Sequence, residues 1–297
     1  MGTPRTAFVL AGGGSLGAVE VGMLQALVER GIAADLVVGA SVGAINGAYF
    51  AGRPDCAGVE SLGAIWRGLR RGDVFPIGLV GGFLGLIGMR SHLLAPDRLR
   101  ALLERNLPVA RLEDAKIPCH VVATDVLTGE EACLSSGSAV EAVLASAAIP
   151  AVFPPVRIAD RQLSDGALAS NTPLPAALAL GAERLIVLPT GFSCSIERPP
   201  RSALGMALHA VNLMVARQLV VDVERFCSLA EIVVVPPLCP LNVTSADFTH
   251  NGELIDRAAE NTRRWLDSGG LSVREVPGPL RPHAHQNGEC ATGGLSA

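Results

Sequence analysis

The stretch of sequence that decides the fold is "DLVVGASVGAINGAYFAG" (35–52). After its leading aspartate it runs as a short apolar strand, and its second half has the small and apolar residues of a buried helix. Ser41 stands between the two parts, with Gly39 and Gly43 two places away on either side. A strand that turns sharply into a helix holds such a serine on a strained backbone, and a Cβ at either glycine position would collide there. The stretch predicts a serine presented at a strand-to-helix turn.

A second glycine-rich turn lies upstream. "TAFVLA" (6–11) predicts a first strand, "GGGSLG" (12–17) a tight loop, and the apolar segment up to Gly31 a helix that this glycine ends. The opening is therefore βαβα with parallel strands. Because the carboxyl ends of parallel strands meet at one edge, we expect the glycine loop and Ser41 to face one pocket.

The rest of the chain continues the alternation of strands and helices. We predict further strands at 120–126, 183–190 and 231–237, and helices at about 96–107, 139–147, 173–180, 203–229 and 251–267. The fold class is α/β: a three-layer αβα domain with a mostly parallel central sheet. The domain is predicted to cover 1–276, and 277–297, rich in Gly, Pro and polar residues, to form a flexible tail.

Composition excludes some classes of function. The chain has 297 residues, 49% of them hydrophobic, a formal net charge of −4 and a single lysine, so a nucleic-acid partner is not expected. Seven cysteines are scattered without a CxxC pair or a Cys/His cluster along the sequence. That spacing predicts no disulfide framework and no metal site, and favours a cytoplasmic location.

The glycine loop also satisfies the G-x-G-x-x-G pattern of dinucleotide-binding folds, at Gly12, Gly14 and Gly17. In those folds an acidic residue at the carboxyl end of the second strand binds the ribose. Here Asp35 stands at the start of that strand, and Ser41 stands at its end. We therefore disfavour nucleotide binding and interpret the loop as a source of backbone N–H groups, from Gly13, Gly14 or Ser15, for a developing oxyanion.

A serine nucleophile needs a base. Asp165 follows a short extended piece in "RQLSDGALASNTP" (161–173), where an Asp-Gly turn would project its carboxylate from a strand end. Asp125 is the rival acid, but "TDVLTGE" (124–130) is typical of a hairpin turn. None of the histidines His209, His250, His283 and His285 is well placed for a triad.

Four blocks together make the chain resemble the bacterial patatin-like phospholipases: "GGGSLG" (12–17), "GASVGA" (39–44), "ASAAIPAVFPPV" (145–156) and "DGA" (165–167). They occur in the family's order and extend the likeness over about 8–190. The resemblance implies a Ser-Asp dyad, with Ser41 as nucleophile and Asp165 as general base. It also implies an oxyanion hole from Gly12, Gly13 and Gly14, and hydrolysis of lipid acyl esters without metal or cofactor.

The expected function is that of a serine acyl hydrolase of the phospholipase A or lysophospholipase kind, acting through an acyl-enzyme on phospholipid, lysophospholipid or other acyl esters. Leu16 departs from the family, where many relatives have Arg or Lys in the glycine loop. The alternative is a lipid- or membrane-binding protein with little turnover. The uncharged segment "VFPIGLVGGFLGLIGM" (74–89) has two interpretations. It is either a buried loop and helix or an apolar flap that contacts a membrane surface, and the flap would favour this alternative.

Overall fold

The computed structural model describes residues 4–75, 93–196, 198–199, 203–281, 283–286 and 289–291. Most of the uncharged segment 74–89 lies outside these residues; Val74 and Phe75 are the described part of it.

The centre of the domain is one sheet of eight strands, with the order β5-β6-β3-β2-β1-β7-β8 and with β4 paired to β3. The strands are β1 Thr6–Leu10, β2 Leu36–Ala40, β3 Cys119–Asp125, β4 Glu131–Leu134, β5 Val156–Ile158, β6 Arg161–Ser164, β7 Arg184–Leu188 and β8 Glu231–Val234. The pairs from β3 through β2, β1 and β7 to β8 are parallel, and the pairs that β4, β5 and β6 make are antiparallel. The mostly parallel sheet is confirmed.

Helices cover both faces of this sheet. They are α1 Gly17–Glu29, α2 Val42–Gly52, α3 Cys56–Gly68, α4 Arg71–Val74, α5 Asp97–Asn106, α6 Ala139–Ser146, α7 Ala167–Ser170, α8 Leu174–Ala179, α9 Ala203–Phe226 and α10 Asn251–Asp267. Along β1, Phe8 and Leu10 enter one core cluster, which α1, α2, α3, α5, α6 and α10 cover. Ala7 and Val9 point to the opposite face and pack with α8 and α9. The period-2 alternation of a strand thus builds the predicted three layers.

The long helix α9 has an unusual composition. Its segment Gly205–Phe226 is long and apolar enough, by length and composition alone, to cross a membrane, with a mean hydropathy of 1.3 and 24% of that stretch buried. Core helices of other proteins share this property.

The carboxyl-terminal segment from 277 onward makes several contacts. Gly278–Leu280 forms a 3-10 turn, and Leu280 is buried in the core cluster under α8 and α9. Two short strands follow, β9 Ala284–Gln286 and β10 Glu289–Ala291, which pair antiparallel. The division of the chain at 276 stays a prediction.

Candidate active site

Ser41 sits at the turn between β2 and α2, as the sequence predicts. Its φ of 53° and ψ of −122° are a backbone conformation that residues with a side chain rarely adopt. A Cβ on Gly39 would lie 2.3 Å from the Gly43 carbonyl oxygen, and a Cβ on Gly43 would lie 2.4 Å from the Leu10 carbonyl oxygen. The crossing of strand and helix therefore requires both glycines. Ser41 begins the helix and is 7% exposed.

Strand register brings Asp165 level with Ser41. The pairs that set this level are Ala40–Val122, between β2 and β3, and Ser164–Thr124, between β6 and β3. β4 pairs with β3 opposite both β2 and β6, so β2 and β6 lie on the same side of β3, one after the other. One residue further along each strand, Ser41 and Asp165 both reach the level of Ala123 on that side, so their side chains can meet.

The two side chains do meet. The Ser41 hydroxyl donates a hydrogen bond of 2.8 Å to Oδ2 of Asp165. The Ala167 N–H donates to the other carboxylate oxygen, also at 2.8 Å. Burial raises the pKa of Asp165 to about 6, and these two hydrogen bonds offset the effect of burial only in part. An aspartate with such a pKa is a stronger base than an ordinary surface aspartate and is still ionised at neutral pH.

Ser146 supports the turn, a role that no sequence pattern predicts for this residue. The Ser41 N–H donates to the Ser146 hydroxyl oxygen at 2.8 Å, and that hydroxyl donates to the Val122 carbonyl at 2.5 Å. Ser146 thereby ties the start of α2 to β3. Its sequence signal is its position in the block "ASAAIPAVFPPV", which marked the resemblance without indicating a role for this residue.

The glycine loop provides fewer free donors than expected. The Gly12 N–H donates to the Asn171 carbonyl at 2.9 Å, and the Ser15 N–H donates to the Ser245 carbonyl at 2.9 Å. Among the hydrogen bonds of the described residues, none uses the N–H of Gly13 or Gly14. The prediction that Gly12 supplies an oxyanion donor therefore does not fit this geometry, because its N–H is already satisfied within the fold.

Close packing explains why the loop is made of glycines. A Cβ on Gly13 would lie 2.3 Å from the Thr190 hydroxyl oxygen, and one on Gly14 would lie 2.3 Å from the Ser245 carbonyl oxygen. Gly14 also has a φ of +60°, in the left-handed region that favours glycine. Thr190 and Ser245 thus define the shape of the loop.

Two clefts meet at Ser41. The smaller cleft is lined almost wholly by apolar side chains, among them Ile45, Leu62, Trp66 and Phe248. No charged side chain of the described residues lines it. The larger cleft shares Ser41 and contains Asp165 together with Arg71, Asn171, Asn212 and Ser245, among mainly apolar residues. Ser41 therefore faces one cleft without charged side chains and a second cleft that contains both an acidic and a basic residue.

The rival candidates lie elsewhere. Asp125 closes the β3–β4 turn, where its Oδ1 accepts from the Leu127 N–H at 3.0 Å, and it lines neither cleft. Asp35 accepts from the Thr6 N–H at 2.7 Å, at the opposite edge of the sheet from the glycine loop. His250 caps α10 and contacts Glu253. No described histidine lines either cleft.

Leu16, the departure from the family pattern, is fully buried in the core. Its side chain lines neither cleft, so this position adds no charge to the site.

Comparison with known proteins gives the family. The family model described as patatin-like phospholipase matches residues 8–178. An uncharacterized NTE family protein of Mycobacterium tuberculosis is 32% identical over 202 residues, which cover 68% of this chain and 52% of that protein. Patatin-like phospholipase domain-containing protein 6 of Homo sapiens is 27% identical over 189 residues, 62% of this chain and 13% of that protein. The chain belongs to the patatin-like phospholipase family, and it spans about half or less of the length of these relatives.

Solved structures with a related shape include VipD from Legionella pneumophila, at a TM-score of 0.47 and 16% identity, covering 91% of this chain and 67% of that one. Human GIVD cytosolic phospholipase A2 aligns at a TM-score of 0.47 and 12% identity, covering 91% of this chain and 59% of that one.

Proposed function

We propose that this chain is a serine acyl hydrolase that cleaves the carboxylic esters of lipids. The observation that carries the proposal is the Ser41–Asp165 hydrogen bond of 2.8 Å at the junction of the two clefts. A nucleophile in contact with a buried base, next to unpaired backbone N–H groups, is the arrangement that acyl transfer needs.

In the proposed mechanism, Ser41 Oγ attacks the ester carbonyl carbon while Asp165 accepts the hydroxyl proton. The carbonyl oxygen becomes negative and takes hydrogen bonds from the N–H groups of Gly13 and Gly14. Collapse of this intermediate expels the alcohol, which takes the proton from Asp165 and leaves an acyl-enzyme. A water molecule, deprotonated by Asp165, then releases the fatty acid and restores Ser41.

The clefts support a lipid substrate. The apolar lining of the smaller cleft suits an acyl chain, because burial of each methylene group against side chains such as Ile45, Leu62 and Trp66 contributes about 0.8 kcal/mol. The larger cleft presents the guanidinium of Arg71, which suits the phosphate of a phospholipid or lysophospholipid headgroup. No metal ion or organic cofactor enters the mechanism.

The test is hydrolysis of lysophosphatidylcholine and of a short p-nitrophenyl ester, together with labelling by a fluorophosphonate probe. We expect the Ser41→Ala variant to lose label and to lose about 10⁴-fold or more in kcat. The matched control is Ser170→Ala, since Ser170 is also 7% exposed and lines neither cleft. Full labelling of Ser41→Ala would exclude Ser41 as the nucleophile.

The role of the smaller cleft has its own test. Ile65 lines the smaller cleft and not the larger one. We expect Ile65→Trp to lower kcat/KM for long-chain lysophospholipid at least tenfold while the short ester is hydrolysed as before, since a difference of a few buried methylenes changes binding by that factor. An equal loss on both substrates would place the acyl chain elsewhere.

A second candidate function is lipid-surface binding with little turnover. The observation that favours it is a set of exposed apolar side chains on α9: Met206, Val211, Leu213, Met214 and Val221. Val211 also lines the larger cleft, so a lipid surface that α9 contacts would lie beside that cleft. Flotation with phosphatidylcholine vesicles tests this, and Met214→Asp should reduce it. Vesicle binding without hydrolysis of any ester would favour the second function over the first.

A further inference from the structure

Four side chains that commonly bind metals converge beside the loops that follow β7 and β8. They are Cys194, Cys239, His283 and His285, and each offers a ligand atom within 4.8 Å of all the others. All four are partly buried. The group contains two thiols and two imidazoles, and it draws on three separate parts of the chain: the loop after β7, the loop after β8, and the carboxyl-terminal segment.

Two distances within this group are close to those of a tetrahedral metal site. The Cys239 sulfur lies 3.3 Å from Nε2 of His283 and 3.9 Å from Nε2 of His285. Zinc binds sulfur at about 2.3 Å and imidazole nitrogen at about 2.0–2.1 Å, which puts neighbouring ligands of a tetrahedron about 3.3–3.8 Å apart. The two sulfur–nitrogen distances are close to that spacing, and the other ligand atoms, all within 4.8 Å of one another, would have to approach by at most about 1 Å to bind a central ion.

The histidines are oriented for coordination. Nδ1 of His283 lies 2.7 Å from the Arg281 carbonyl oxygen, and a carbonyl can only accept, so Nδ1 carries the proton. Nε2 then has a free lone pair directed toward Cys239, the arrangement that holds most metal-binding histidines. Nδ1 of His285 is buried and has no hydrogen-bond partner among the described residues. Phe192 packs edge-on against the His283 ring and shields one side of it.

We propose that Cys194, Cys239, His283 and His285 bind one Zn²⁺ ion in a closed structural site. Two thiolates and two neutral imidazoles in tetrahedral positions are typical of zinc, and two thiolates balance its charge. The four protein ligands leave no open position for water, so the ion is structural and takes no part in hydrolysis. Binding releases the two thiol protons to solvent.

The ion would join parts of the fold that hydrogen bonds already bring together. The Ser195 N–H donates to the Leu241 carbonyl at 3.1 Å, and the Ser193 hydroxyl donates to the Val243 carbonyl at 2.6 Å. These bonds link the loops after β7 and β8, and the two histidines would fasten the carboxyl-terminal segment to both. Leu280 already anchors the start of this segment in the core, and zinc would hold its two histidines to the loops as well.

The first test is metal analysis of the full chain purified from zinc-supplemented medium. We expect about one zinc per chain after gel filtration, with X-ray absorption showing two Zn–S bonds of about 2.3 Å and two Zn–N bonds of about 2.0 Å. A chain that contains no zinc and takes up none when titrated under reducing conditions overturns the proposal. So does an oxygen-only coordination shell, or a Cys194–Cys239 disulfide in chain isolated under reducing conditions.

Variants assign the ligands. Cys239→Ser and His283→Gln should each lose most of the zinc, whereas Cys56→Ser and Cys227→Ser, which replace exposed cysteines outside the group, should keep it. Where a ligand variant fails to fold, Co²⁺ exchanged into the unaltered chain serves instead, because tetrahedral thiolate coordination gives intense visible absorption and sulfur charge-transfer bands. Neither readout depends on hydrolysis, so this proposal and the proposed activity can fail independently. Zinc retained equally by all four variants would overturn the ligand assignment.

Discussion

Asp165 after β6 and Glu20 in α1 are the two least exposed carboxylates of the described residues, and they differ in what surrounds them. Asp165 is 3% exposed and Glu20 is 0% exposed, and burial raises the pKa of both. Asp165 touches a hydroxyl that faces two clefts. Glu20 accepts a hydrogen bond of 2.8 Å from the Asn46 amide and lines neither cleft.

The surroundings of Glu20 point to a structural role. The Asn46 amide also donates to the Gly17 carbonyl at 3.0 Å, and its oxygen accepts from the Trp66 indole N–H at 2.9 Å. This network joins α1, α2 and α3 beneath the glycine loop. The raised pKa of each acid reflects its burial. A candidate base differs from a buried structural acid in two further respects: it contacts a nucleophile, and a substrate can reach it.

The largest expected difference between the two acids is in activity. Asp165→Asn keeps the shape of the side chain but removes the base, so kcat should fall about 10²- to 10⁴-fold. Glu20→Gln keeps the hydrogen bond with Asn46 and touches no substrate, so kcat should stay within about threefold of the unaltered chain. Steady-state hydrolysis of one ester by both variants is the measurement. Equal losses in both variants would contradict the assignment of Asp165 as the base.

The next difference is in the pH dependence of hydrolysis. Only ionised Asp165 accepts a proton, and its pKa is raised to about 6 by burial. We therefore expect kcat/KM to fall about tenfold per pH unit below about pH 6 and to level off above it. The profile of Glu20→Gln should be the same. An activity that is constant from pH 5 to pH 8 would show that another group activates the serine.

The smallest effect is on stability, and here the two acids should behave alike. Each pKa is higher in the folded chain than in the unfolded chain, so the folded chain holds the proton longer and the free energy of unfolding falls as pH rises. For Asp165 the fall begins near its ordinary pKa of 3.8, ends near 6, and amounts to about 3 kcal/mol.

Denaturant unfolding at a series of pH values measures this effect. Asp165→Asn cannot ionise, so at pH 8 its free energy of unfolding should exceed that of the unaltered chain by up to about 3 kcal/mol. Glu20→Gln should show a gain of the same sign at alkaline pH. If the free energy of unfolding changes with pH in the same way for both variants and the unaltered chain, the pKa of neither acid is raised by burial.

The sequence predicted most of what depends on neighbouring residues. The turn at Ser41 is local, because the steric needs of a strand that turns into a helix are met by Gly39 and Gly43. The helix at 251–267 has the predicted bounds, and the two glycine-rich turns lie at one edge because β1 and β2 pair in parallel. The choice of Asp165 over Asp125 came from turn chemistry and from the resemblance together.

The tertiary structure alone decided which distant groups meet. The N–H of Gly12 looks like its neighbours in the sequence, yet it is used by the carbonyl of Asn171, far along the chain. Cys194, Cys239 and the pair His283 and His285 come together, although more than forty residues separate each from the next along the chain. Patterns in a sequence indicate the steric requirements and burial of neighbouring residues. Strand register and loop packing depend instead on contacts between residues that are distant along the chain.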